Sequence, residues 1–133
     1  MTSELRERVG WAFPVQIAWA ILAALWNVAG VLLIAQGQRA IGPTASWLTA
    51  AILLVVAVLF VYLVKRWPIA YLLLTLAAGL LGLFAAVNAF TQDPALWPSE
   101  FWRYAGAVLN GVGFIAAVFA ILAFFRWRAS RLL

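Results

Sequence analysis

No cysteine and no histidine occur in this chain of 133 residues. The first absence removes thiol redox chemistry, disulfides and thiolate metal sites. The second removes imidazole ligation of haem and the usual proton shuttle. Charge is nearly as scarce, at 10% of residues against 68% hydrophobic. A water-soluble fold would lack the polar surface to cover so much apolar mass. Where charge is missing says more than how little there is. Arg8 to Arg39, Arg39 to Lys65, Arg66 to Asp93 and Arg103 to Arg126 bound uncharged runs of 30, 25, 26 and 22 residues. About 20 mostly apolar residues cross a hydrocarbon core roughly 30 Å thick, so each run is a candidate transmembrane helix. The fold class expected is an all-α integral membrane protein, an up-down-up-down bundle of four transmembrane helices forming a single membrane domain over residues 1–133.

Local signals bound the four helices. The first is expected from about Pro14 to Gln36, with Pro14 in a first turn that does not need its N–H. Its apolar run is too long for a secretory h-region of about 7–15 residues, so it reads as a membrane helix. Gly37 to Pro43 breaks it. The second covers about Ala45 to Val64, capped by Thr44 or Ser46. Pro68 opens the third, which runs to about Phe90. Asp93-Pro94 and Pro98-Ser99 are successive helix-start signatures; the first suits a single interfacial turn, and the second launches a helix from about Glu100 to Arg126. Short links place neighbours antiparallel.

The net charge of +5 is a matter of topology and does not suggest nucleic acid. Arg6, Arg8, Lys65, Arg66, Arg126, Arg128 and Arg131 fall on one side of the expected bundle, against Arg39 and Arg103 on the other. The positive-inside rule puts the larger group, and with it both termini, in the cytoplasm. The expected location is the cytoplasmic (inner) membrane, with the lipid bilayer as the first partner. The basic C-terminal segment from Arg126 to Arg131 reads as an anchor for the last helix. Trp11, Trp67 and Trp127 suit an inner aromatic belt, and Trp47, Trp97 and Trp102 an outer one. Trp19 and Trp26 lie inside the first helix and fit neither belt. A buried indole N–H there needs a partner.

Small and polar residues recur on single helix faces: Ala20, Ala23, Asn27 and Gly30 in the first helix; Thr75, Gly79, Gly82, Ala86 and Ala89 in the third; Gly106, Asn110, Gly113, Ala117 and Ala120 in the fourth. Membrane helices associate through close packing at such residues and through side-chain hydrogen bonds. These faces are expected to point inward, with Gly30, Gly113, Gly106, Gly79 and Gly82 as packing positions. Gly82-x-x-x-Ala86 is the alternative candidate for a homo-oligomer face. Asn27 and Asn110 each belong to Asn-x-x-Gly and come out at similar depth. They are expected to point inward and bond across an antiparallel crossing made at Gly30 and Gly113. With Asn88, Trp26 and Thr49 they form a candidate ligand-binding cluster, expected in the outer half beneath the loop from Trp97 to Trp102. Below it, the inner half offers little polarity beyond Thr75 and Gln16.

No run contains a carboxylate, so a proton-coupled transporter lacks its usual coupling group. Asp93 and Glu100 have no nucleophile, base and donors arranged around them as a catalytic site requires. An enzyme is not expected, and neither metal nor other cofactor is implied. Two readings remain. One is an accessory or packing subunit, or a binder of a lipid-like ligand, with a partner membrane protein or a second copy as possible company. The other is an oligomeric channel or small-molecule carrier lined by carboxamides and glycines.

Overall fold

The computed structural model describes residues 3–133, with helices and no strand among them. They are α1 (Ser3–Val9), α2 (Ala12–Ala35), α3 (Trp47–Arg66), α4 (Pro68–Thr91) and α5 (Glu100–Ser130), with a 3₁₀ turn at Pro94–Leu96. The four from α2 to α5 are each long and apolar enough to cross a membrane. Their positions match the four uncharged runs. α2 starts two residues before Pro14, and α5 outruns Arg126 by a full turn.

The ends follow local chemistry. Gly37 takes φ 75, with its N–H on Ile34 O at 3.0 Å and that of Gln38 on Leu33 O at 2.9 Å. This Schellman arrangement closes α2 and depends on the left-handed residue. Ser46, not Thr44, caps α3, its hydroxyl accepting from Thr49 N at 3.2 Å. Trp67 leaves the helical conformation ahead of Pro68, at φ −136 and ψ 82, since the proline ring disfavours the α region for the residue before it, and it alone separates α3 from α4. Asp93 accepts from Ala95 N at 2.9 Å and shapes the 3₁₀ turn.

The sequence reading missed α1. Leu5 and Val9 lie four apart on one face and are both buried, whereas Glu4, Arg6, Glu7 and Arg8 are exposed. Gly10, at φ 56, turns the chain from α1 into α2. α1 packs mainly on α5, and Glu4 meets Arg131 at 3.2 Å.

Around the bundle α2, α3, α4 and α5 follow one another, and α5 closes back on α2. α4–α5 and α2–α3 are the extensive pairings. Of the neighbouring long helices, α3 and α4 approach least, although one residue joins them. A large apolar cluster gathers Leu5, Phe13, Phe60, Val64, Phe124 and Trp127, tying α1 to the ends of the long helices near Trp67 and Arg131. At the loop end the segments 36–46 and 92–99 meet, with Arg39 donating to the Ala95 carbonyl. Two tryptophans expected in the belts belong to the interior: Trp97 and Trp127 are 6% and 8% exposed. Each packs in an apolar cluster with neighbouring helices, which removes its ring from the lipid face.

Candidate functional site

Trp19 and Trp26, the two residues that fit neither belt, organise the centre of the molecule. They lie seven residues apart on α2, as Gly106 and Gly113 do on α5. Trp26 packs on Gly106 and Trp19 on Gly113, in opposite chain order. A Cβ at Gly113 would lie 2.5 Å from Trp19 Cδ1, whereas one at Gly106 would lie an ordinary 3.5 Å from the Trp26 ring. Trp19 Nε1 donates to Asn110 Oδ1 at 3.3 Å, which supplies its partner. Trp26 stacks edge-on against Trp102, with centroids 5.7 Å apart.

This packing corrects the expected crossing. Gly30 faces Ala45 and Ala40 of the loop, not Gly113. It stands about 16 Å along α2 from Trp19 at 1.5 Å per residue, well beyond one helix crossing. Asn27 and Asn110 do not bond to each other. Asn110 Nδ2 donates to Gly106 O at 2.9 Å, and Asn27 Nδ2 donates to Ala23 O at 2.9 Å. The indole of Trp19 occupies the acceptor that Asn27 was expected to share. On α4, Gly82 of the candidate homo-oligomer motif packs within the chain, as Gly79 does. Gly79 abuts Ala117, and Gly82 lies against the backbone of Asn110, where a Cβ would come within 2.8 Å of the carbonyl oxygen.

A cavity of about 520 Å³ occupies the bundle between these tryptophans and the loops. Asn27, Asn88, Asn110, Trp26 and Thr49 all line it, brought together from α2, α3, α4 and α5. Trp97 and Pro43 border it at the loop end, and Trp19 lies at its depth. No charged side chain is among its lining. Asn27 is 6% exposed, and its Oδ1 is buried without a hydrogen-bond partner among the described residues. Buried acceptors are nearly always paired, so this oxygen marks a place where a donor is missing.

Thr75 and Gln16, the two polar residues named for the inner half, meet in a second polar cluster with Tyr71, which the sequence reading left out. Gln16 lies between Tyr71 and Thr75, which share a face of α4 one turn apart. Tyr71 Oη donates to Gln16 Oε1, and Gln16 Nε2 donates to Thr75 Oγ1 at 3.2 Å. All three are buried. The network joins α2 to α4 across the bundle, and its donors and acceptors satisfy one another. A lone Gln near one helix end and a Tyr–Thr pair on another helix carry no signal that they meet.

The acids are dispersed. Asp93 caps its own turn, and Glu100 pairs with Arg103 at 2.8 Å. Among the described residues no three His, Cys, Asp or Glu side chains converge as a metal site would require. Comparison with protein-family models, with curated proteins and with solved structures finds no match for the chain.

Proposed function

We propose that this is a multi-pass protein of the cytoplasmic membrane that binds a lipid-like amphiphile, without catalysis, in the cavity beneath Trp97. The observation that carries the reading is the cavity itself, uncharged and largely apolar, with Asn27, Asn88, Asn110 and Thr49 as its few polar side chains at one level of the bundle. Concave, mostly apolar sites with a few placed polar groups, roughly 300–1,000 Å³ in volume, are the usual form of small-ligand sites. On this reading the amphiphile's polar end lies near the asparagines and its apolar part lies among Leu53, Leu81 and Phe84.

The topology that goes with it is up-down-up-down with both termini cytoplasmic and the cavity opening outward. Supporting it are the seven-to-two distribution of basic residues and the opposite chain order of the Trp–Gly contacts between α2 and α5. A C-terminal fusion to a reporter active only after export should be silent, while one active only in the cytoplasm should signal. The reverse pattern overturns this orientation.

The channel reading requires a polar path from the cavity to Lys65 and Arg66. In that direction Phe60, Phe124 and Val64 are buried in the large apolar cluster, and the Gln16 network is satisfied internally. The accessory-subunit reading has no comparable feature, because the small-residue motif on α4 packs against α5. Native mass spectrometry of the full chain, released gently from membranes, tests ligand binding. A retained adduct of lipid-like mass is expected, and its absence at all activation energies overturns the proposal.

A further inference from the structure

One side of the cavity is a gap between two helices. Thr49 and Leu53 of α3 line one edge of it, and Leu81, Phe84, Ala85 and Asn88 of α4 line the other. Counted from Trp67, Leu53 and Leu81 are each fourteen positions away and Thr49 and Ala85 each eighteen, so the two edges run level at a common rise. α3 and α4 are the neighbouring long helices that approach least, and their ring contact, Phe60 on Tyr71, is made nearer Trp67. Further along, Leu81 and Phe84 line the cavity and are also 60% and 68% exposed. Side chains that do both stand at a mouth, and on a helix apolar enough to cross a membrane that mouth faces lipid. At the loop end the segments 36–46 and 92–99 are drawn together instead. Gly42 packs there against the indoles of Trp26 and Trp97, and Arg39 reaches the Ala95 carbonyl.

The lining is graded and neutral. Leu53, Leu81 and Phe84 make its part nearer Trp67 apolar, whereas Thr49 and Asn88, and beyond them Thr44 and Gln92, are polar. Among the described residues no Lys, Arg, Asp or Glu contributes, so an ionic group drawn inside would find no counter-charge, which apolar surroundings strongly disfavour. From this we infer that the cavity takes up an uncharged lipid sideways from the bilayer, through the gap between α3 and α4, with its polar end toward Thr49 and Asn88. The assignment rests on the ligand-binding reading proposed above and adds the route and the charge class of the ligand. A molecule so placed lies alongside the lipids of its own leaflet and enters without turning over.

The chain has no cysteine, which allows the gap to be closed at will. Thr49→Cys combined with Ala85→Cys sets a thiol on each edge at one level, a pair that a bifunctional methanethiosulfonate joins and a reductant releases. The probe is 1,2-dioleoylglycerol with a diazirine in one chain, mixed into phosphatidylcholine nanodiscs holding the full chain. Mass spectrometry after illumination maps the labelled residues. Label is expected on Trp19 and Leu109, which line the far wall from α2 and α5. Joining the thiols should remove most of that label and reduction should restore it, while label on Val58, exposed on the outside of α3, stays constant. If the pair is not joined, Ala85→Trp fills the gap in its place. A phosphatidic acid with the same photoreactive chain should label the far wall about tenfold less, because its charge would be unpaired there. Far-wall label that survives closure overturns the route and leaves the cavity reading intact. Equal or stronger label from the phosphatidic acid overturns the uncharged class. No far-wall label from either probe in the unaltered chain means that the underlying reading fails as well.

Discussion

Gly113→Ala is a sharp test of how α2 and α5 are held together. The added methyl carbon would lie 2.5 Å from Cδ1, 2.6 Å from Nε1 and 2.7 Å from Cγ of Trp19. Three ring atoms are struck at once, and the ring is rigid, so relief requires a new indole rotamer or separation of the helices. Overpacking of this kind costs about 1–3 kcal/mol. Moving the indole also breaks its bond to Asn110, and an interhelical hydrogen bond in a membrane is worth roughly 0.6 kcal/mol. Against this, alanine is the better helix former by about 1 kcal/mol. The net expectation is a loss of about 0.5–2.5 kcal/mol. Two sister variants calibrate it: Gly106→Ala places its Cβ an ordinary 3.5 Å from Trp26, and Gly111→Ala meets nothing within 4 Å. Both should be neutral or slightly stabilising. Reversible unfolding in mixed micelles, followed by circular dichroism, ranks the three. Trp19→Leu should remove most of the Gly113→Ala penalty in a double-mutant cycle. If Gly113→Ala unfolds with the wild type, or Gly106→Ala costs as much, the ring-on-glycine account is wrong.

Other perturbations separate the remaining contacts. Tyr71→Phe leaves Gln16 Oε1 buried without its donor and should cost about 1–3 kcal/mol; unchanged stability in the same unfolding assay would show that the network contributes nothing. Gly82→Ala sets a Cβ 2.8 Å from the Asn110 backbone oxygen, which cannot rotate away, so after the helix-propensity gain a net loss of up to about 2 kcal/mol is expected, visible as an earlier unfolding midpoint. Leu5→Ala empties a fully buried site where α1 meets the bundle and should cost about 2–5 kcal/mol. Glu4→Ala, which removes only an exposed ion pair, should leave the midpoint nearly unchanged. Equal effects from these last two would refute burial of the Leu5 face as the reason α1 docks.

What the sequence disclosed and what it hid have different physical origins. The four long helices came through because a helix long and apolar enough to cross a membrane leaves a long blank in the charge pattern, a charge inside hydrocarbon being costly. Caps came through where one residue type has one use, as at Pro68 and Asp93. α1 stayed hidden because its face is only Leu5 and Val9, set among charges that read as a flank. Contacts between helices were the harder part. The small-residue faces indicate what is near the axis, but not the axial offset between helices, and large rings decide that offset. Trp19 displaces Asn27 from Asn110 and removes Gly30 from the crossing. Asn27, Asn88, Asn110, Trp26 and Thr49, which all line the cavity, were recognisable as polar positions at similar depth, a property of single helices. The missing partner of Asn27 is a property of the assembled set and has no trace in the chain.

One consequence follows from the single residue between α3 and α4. Trp67 makes a corner, and each helix is a lever arm from it. Phe84 stands about 26 Å from that corner at 1.5 Å per residue, so a tilt of about 10° between the arms shifts the wall at its level by roughly 4–5 Å. That displacement exceeds the ~4 Å contact distance between apolar carbons. A tilt of about 10° at the corner is therefore enough to part these walls by more than one carbon contact, and substitution of Trp67 or Pro68 acts on the gap between α3 and α4 by leverage without touching anything that lines it.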